Sequence, residues 1–181
     1  MNKIELLLIA TILLLTNGVV GCVIPDQVHN DTILVENRLN HPFSHPIKSD
    51  EFHIYIIGSN SILEGTVIFT IKDYNGTVIY TEKFPANELL GYHTDYHNKK
   101  DEKEDFIEKR ITEFFDQENF YNPAIKENDN FDSDYSNLEI WEDIRSDSTA
   151  IGFDYLIGEE DGRRIAYSKK LKKVVMYFNC C

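Results

Sequence analysis

The sequence lacks several features that would assign it to a class of protein. It has three cysteines among 181 residues and no CxxC pair, so thiol redox catalysis has no positive support. Lys and Arg number 18 against 31 Asp and Glu, and the net charge of −13 argues against nucleic acid and against an anionic membrane surface as partners. The GxSxG and HExxH motifs of hydrolases are absent. No apolar run reaches the roughly 20 residues that a membrane-spanning helix needs.

The N-terminus carries the most specific pattern in the sequence. Lys3 precedes an apolar run over residues 6–15, whose length is typical of the apolar core of a secretory signal peptide. The run is followed by Val19-Val20-Gly21-Cys22, which resembles the lipobox of bacterial lipoproteins. In that family the cysteine receives diacylglycerol, the peptide is cut before it, and the new amine is acylated. The resemblance implies a signal peptide over residues 1–21 and a lipid anchor on Cys22. The alternative is an ordinary signal peptide followed by an incidental cysteine.

The remaining chain divides by composition into two parts. Residues 22–50 are rich in Asn, Asp, His and Pro without a sustained period, which predicts a flexible tether. Residues 51–181 are predicted to form a single domain. Val23 follows the lipobox cysteine where the inner-membrane retention signal of lipoproteins has an acid, and this favours the outer membrane.

Hydrophobic periodicity predicts an α+β fold. An amphipathic helix is expected within residues 101–117, and a short second helix at Leu138, Trp141 and Ile144. Alternating apolar residues predict about six strands in meander-like hairpins, one of them closed by an Asn-Gly turn at residues 75–76. The predicted strands cover residues 52–57, 66–72, 77–84, 149–157, 163–168 and 174–178. We expect a mainly antiparallel sheet with one amphipathic helix packed on one face.

A loop rich in Asp, Asn and Ser is the strongest candidate metal site. Its spacing partly resembles a calcium-binding EF-hand loop, in which oxygen ligands alternate and a closing glutamate is bidentate. The candidate ligands are Asn128, Asn130, Asp132, Asp134 and Glu139. The match is imperfect, because the first ligand is Asn rather than Asp and Ser133 replaces the turn glycine. Calcium is the cofactor that this loop suggests, and the alternative is a mobile acidic loop.

Two smaller groups are weaker candidates. His93 and His97 lie four residues apart and would share a face on a helix, where they could bind Zn²⁺ or Cu²⁺. Gly91 and the polar flanks make a helix improbable there, so the alternative is a polar loop. Cys180 and Cys181 are adjacent and could form a vicinal disulfide outside the cytoplasm. The alternative, which the sequence favours, is two small apolar residues that end a strand.

Positive charge is concentrated in the last predicted hairpin. Arg163, Arg164, Lys172 and Lys173 could dock a partner protein there. The alternative is that they form a solvated face and keep the edge strand from aggregating.

The lipobox, the acidic tether and the stretch from Asp161 to Tyr167 together resemble uncharacterised small lipoproteins of Bacteroides-group bacteria. That family has no assigned activity, so the resemblance implies a cell-envelope address and no catalytic residues. We therefore predict a membrane-anchored, non-enzymatic binding or interaction module with an envelope protein or a glycan as partner. The alternatives are a calcium-binding module that uses residues 128–139 and an unrecognised envelope hydrolase.

Overall fold

The computed structural model describes residues 32–94 and 99–180, and the elements below refer to these residues. They form eight strands and two α-helices, with 3-10 helices at Ala86–Thr94 and Gln117–Asn119. The strands are β1 (Thr32–Pro42), β2 (Ser49–Gly58), β3 (Thr66–Lys72), β4 (Val78–Pro85), β5 (Phe120–Tyr121), β6 (Gly152–Leu156), β7 (Gly162–Ser168) and β8 (Lys173–Cys180). The helices are α1 (Lys100–Glu113) and α2 (Leu138–Arg145).

The strands form two antiparallel sheets, each with its strands in chain order. The first sheet is β1-β2-β3-β4 and the second is β5-β6-β7-β8. The mainly antiparallel α+β fold is therefore confirmed, whereas a single sheet of about six strands is wrong. The Asn-Gly turn between β3 and β4 is present, with Gly76 at φ +85°, where a residue with a Cβ would be strained. The Oδ1 atom of Asp73 accepts the N–H groups of Asn75 and Thr77 and fixes that turn.

Aromatic side chains from both sheets and from the end of α1 fill one core. Phe52 of the first sheet packs edge-to-face against Phe153 of the second, with ring centroids 5.7 Å apart. Phe114 and Phe115 follow the last turn of α1 and enter the same cluster. Ile107 and Ile111, which α1 directs toward it, are fully buried. Because the two sheets share this core, they form a single packing unit.

The second helix covers the other side of the second sheet. Trp141 and Ile144 of α2 pack on a smaller cluster that includes Ala166 of β7 and Val175 of β8. The expectation of one packed helix is therefore incomplete, because both helices bury an apolar face. Leu138 was expected on the buried face of α2, but it is 56% exposed.

The predicted tether over residues 22–50 is wrong for residues 32–50, because β1 occupies most of this stretch. Among the described strands, β1 is an edge strand that pairs with β2 alone, and none of its side chains is buried. Such a strand accommodates polar residues, and its pattern contains Asn37, Asn40 and His41. Asn37 also donates to the carbonyls of Ile111 and Thr112 at 3.1 and 2.8 Å, which caps the end of α1.

Candidate functional site

The calcium-loop residues do not converge in the structure. All five predicted ligands are exposed. The Oδ1 atom of Asp132 accepts the N–H of Asp134 at 2.9 Å, and Glu139 lies on α2, 3.4 Å from Lys170. Across residues 32–94 and 99–180, no three His, Cys, Asp or Glu side chains form a group that could hold a metal ion. Among the described residues, the carboxylates of the predicted calcium loop therefore do not come together as a metal-holding group.

Several candidate residues lie outside the described part of the chain. These are Cys22, the side chain of His93, His97 and Cys181. Cys180 ends β8 and is disulfide-bonded. Both other cysteines of the chain are outside the described residues, so the vicinal disulfide remains a prediction.

Arg163 of the basic hairpin belongs to a polar network between the two sheets. Its guanidinium forms ion pairs with Glu82 of β4 and with Asp161, and the Arg163 side chain is only 19% exposed. The hydroxyl of Tyr155 donates to Glu82 at 2.5 Å, and the Tyr80 hydroxyl lies 2.8 Å from that of Tyr155. Burial raises the pKa of Tyr155 and lowers the pKa of Arg163. Arg163 therefore connects β7 to β4 and is not a free docking cation.

The other three predicted docking residues differ in whether they are paired within the fold. Arg164 pairs with Asp154 at 3.4 Å and lies over the Phe178 ring, 4.7 Å from its centroid. Lys172 and Lys173 are exposed, and neither forms an ion pair with any described residue. Of the four predicted docking residues, only these two lysines present an unpaired charge within the described chain.

An open surface feature next to this hairpin is acidic. Three adjoining cavities of about 640, 320 and 230 Å³ lie between α2 and the turn at residues 169–172 that joins β7 to β8. Together we call them the α2 groove. Its lining includes Asn137, Leu138, Glu139, Ile140, Glu142, Asp143, Ser146, Lys170 and Leu171.

Two hydrogen-bonded anchors fix the walls of the α2 groove. The hydroxyl of Ser168, which is 1% exposed, donates to Asp143 of α2 at 2.5 Å and accepts the N–H of Leu171 at 2.9 Å. Lys169 forms an ion pair with Asp147 at 2.7 Å. Burial opposes ionisation of Asp147, but bonds from Lys169 and Thr149 outweigh it, so the pKa of Asp147 is lowered. The turn and the helix are therefore held in one arrangement without a ligand.

The α2 groove combines apolar rims with negative charge. Leu138 is 56% and Leu171 is 46% exposed. Four acids, Glu139, Glu142, Asp143 and Asp147, line the space. The two cations among the lining residues are Lys169 and Lys170, which already pair with Asp147 and Glu139. Such a surface is complementary to a segment that carries apolar and basic side chains. The sequence predicted Glu139 as a calcium ligand and lysines of this turn as docking residues. No sequence pattern indicates that α2 and the turn form one groove.

No family model matches the chain, and neither a curated protein nor a solved structure matches it. None of the helices among the described residues is both long and apolar enough to span a membrane.

Proposed function

We propose that this chain is a lipid-anchored, non-enzymatic protein of the bacterial cell envelope that binds a protein partner through the α2 groove. The address follows from the lipobox-like sequence at Cys22, and the outer membrane is the expected location because Val23 follows it. The partner is a protein segment with basic and apolar side chains.

The observation that supports binding is the combination of shape and charge in the α2 groove. Its walls are fixed by the Ser168–Asp143 hydrogen bond and the Lys169–Asp147 ion pair, so a partner does not have to order them. Leu138 and Leu171 offer apolar contacts, and the groove acids exceed its cations. Exposed apolar side chains next to complementary charge are the usual composition of a protein-binding surface.

The binding proposal is tested by reversing one groove charge. The full chain carrying Glu142→Lys and the full chain carrying Glu108→Lys are each cross-linked in native envelopes and recovered. Glu142 lines the groove, whereas Glu108 is an exposed glutamate on α1, so the pair is matched in residue type and exposure. We expect Glu142→Lys to reduce recovery of the cross-linked partner by about tenfold or more, because a like charge then faces the basic partner. Equal recovery from both variants would refute the groove as the binding surface.

The anchor is tested separately by mass spectrometry. An acylated N-terminal peptide that begins at Cys22, and its loss in Cys22→Ala, would support the lipid. Disulfide mapping gives an independent check, because Cys180 is disulfide-bonded. A Cys180 peptide linked to Cys22 would contradict the lipid anchor and leave the binding proposal standing.

A further inference from the structure

One edge of the second sheet is left open next to the end of α1. β5 is two residues long and pairs only with Phe153 and Gly152 of β6. β6 continues to Leu156, and no strand of the described chain pairs with its outer edge beyond Phe153. A cleft of about 390 Å³ lies at this edge. It is lined by Arg110, Glu113, Phe114, Asp116, Asn119, Asp154, Tyr155 and Leu156, and we call it the β6 cleft.

The register of β6 and β7 fixes which backbone groups face the β6 cleft. Ile157 N–H donates to Asp161 C=O at 3.0 Å, so these two residues are a hydrogen-bonded pair. Hydrogen-bonded pairs alternate with pairs that exchange no hydrogen bonds, and the next pair, Leu156 and Gly162, is therefore of the second kind. Gly162 N–H donates to Glu160 C=O instead. In an antiparallel ladder the backbone groups of such a residue point away from its partner strand. The carbonyl of Leu156 accordingly accepts a hydrogen bond from Arg110 at 2.9 Å on the cleft side. Leu156 N–H points to the same side and is available to a further strand.

Arg110 supplies a half-buried cation in the same cleft. It lies in the last turn of α1. Burial lowers the pKa of its guanidinium, and the charges of Glu159 and Glu113 oppose that shift. A guanidinium carries five N–H donors, and the bond to Leu156 uses one of them. None of the ion pairs between described residues involves Arg110. Its remaining donors have the fork geometry that binds a carboxylate with two parallel hydrogen bonds.

We propose that the β6 cleft binds the carboxyl terminus of an extended peptide, whose main chain adds to the open edge of β6 and whose terminal carboxylate pairs with Arg110. Strand addition satisfies the free backbone groups, and capture of the carboxylate satisfies the spare guanidinium donors. The 3-10 helix at Gln117–Asn119 contacts β6, and Arg110 already binds the Leu156 carbonyl, so the main-chain group that the cleft offers to the peptide is Leu156 N–H. Glu113 and Asp116 line the same cleft and favour basic side chains on that peptide. This site does not depend on the lipid anchor or on the α2 groove.

The structure also explains why a free small carboxylate is the weaker ligand. Such an ion would meet Arg110 but leave Leu156 N–H unused, and it would bring no positive charge to Asp116 and Glu113, which also line the cleft. A peptide terminus with a basic side chain would accept the hydrogen bond of Leu156 N–H and would also place a positive charge next to Glu113 and Asp116. The backbone edge therefore distinguishes a peptide site from a general anion site.

The test uses the purified full chain and two pools of randomised tetrapeptides, one with free carboxyl termini and one amidated. We expect retention of the free-acid pool, enriched in basic residues, and about tenfold weaker retention of the amidated pool, since one charge-assisted pair is lost. Arg110→Gln should weaken free-acid binding by a similar factor. Arg145→Gln is the matched control, because Arg145 also ends a helix and donates to a loop carbonyl, that of Glu127, but lies outside the cleft. It should bind like the wild type.

Two further measurements test peptide binding to the β6 cleft even if Arg110→Gln perturbs folding. Arg110→Lys keeps the charge but not the fork, and it should bind the free-acid peptides more weakly than the wild type does. Hydrogen exchange at Leu156 N–H should slow by about tenfold when the peptide is present, because strand addition protects that amide. Equal retention of the two pools, or no retention of either, would overturn the proposal. Competition by sodium acetate as effective as that by peptide would also overturn it, because it would show an anion site without strand addition.

Discussion

Replacing Arg163 tests whether the basic hairpin is structural. The change is Arg163→Met, which keeps most of the side-chain length and removes the charge. It leaves Glu82, whose side chain is 13% exposed, without its arginine partner between the sheets. The control is Lys173→Met, because Lys173 is exposed and forms no ion pair with a described residue.

The expected cost follows from the burial of the pair. Breaking a fully buried ion pair by removing one partner costs about 3–5 kcal/mol, because the other charge is left unpaired. Here 13–19% exposure and the remaining hydroxyl of Tyr155 lessen the penalty, so we expect a loss of about 2–4 kcal/mol in the free energy of unfolding. For a chain of this length that corresponds to a fall of about 5–15 °C in Tm. Lys173→Met should stay within about 0.5 kcal/mol of the wild type.

The measurement is urea unfolding followed by circular dichroism, with Tm from calorimetry. The double variant Glu82→Gln/Arg163→Met should be less destabilised than the sum of its two single variants, because it removes the unpaired charge of Glu82 and leaves only that of the more exposed Asp161. If Arg163→Met and Lys173→Met have the same free energy of unfolding, the network between the sheets does not stabilise the fold and the reasoning is refuted.

Three further changes test the fold elsewhere. Burial is the main reason that the pKa of His53 lies below 6.5. The unfolded chain therefore takes up the proton first, and the free energy of unfolding should fall as pH drops below about 6.5. His53→Gln should flatten this dependence in urea unfolding at a series of pH values. Gly152→Ala would place its Cβ 2.6 Å from the Tyr121 ring and should cost about 1–3 kcal/mol, whereas Gly162→Ala, whose Cβ would meet nothing closer than 3.5 Å, should cost less; equal losses would contradict the packing argument. Asn37→Ala removes two bonds to the end of α1 and should cost about 1–2 kcal/mol in thermal unfolding, and an unchanged Tm would exclude this cap.

The strands and helices with strong periodicity were predictable from the sequence. The six predicted strands overlap β2, β3, β4, β6, β7 and β8, and the predicted helices overlap α1 and α2. Each of these elements buries one face, so its apolar residues recur at the period of the element. β1 and β5 were not predicted, because an edge strand half-exposed along its length and a two-residue strand carry no such period.

The sites were less predictable because their contacts join distant parts of the chain. Ser168 and Asp143 lie 25 residues apart, and Tyr155 and Glu82 lie 73 apart. The loop at residues 128–139 had the spacing of a calcium site, but spacing does not determine where each side chain points. The α2 groove and the β6 cleft both depend on which elements become neighbours in the fold, and local sequence does not encode that.

Arg110 and Arg163 donate to different kinds of group, and this difference distinguishes a structural arginine from a ligand-binding one. Burial lowers the pKa of both guanidinium groups, so burial alone does not distinguish them. Arg163 contacts two carboxylates, those of Glu82 and Asp161, and its charge and donors are used within the fold. Among the described residues Arg110 donates only to the neutral carbonyl of Leu156, and although the charges of Glu159 and Glu113 act on it, its remaining donors are left for an outside carboxylate. Loss of Arg163 should therefore reduce stability with little specific effect on peptide binding. Loss of Arg110 should reduce binding of free peptide termini more than it reduces stability, and the reverse ranking would contradict both assignments.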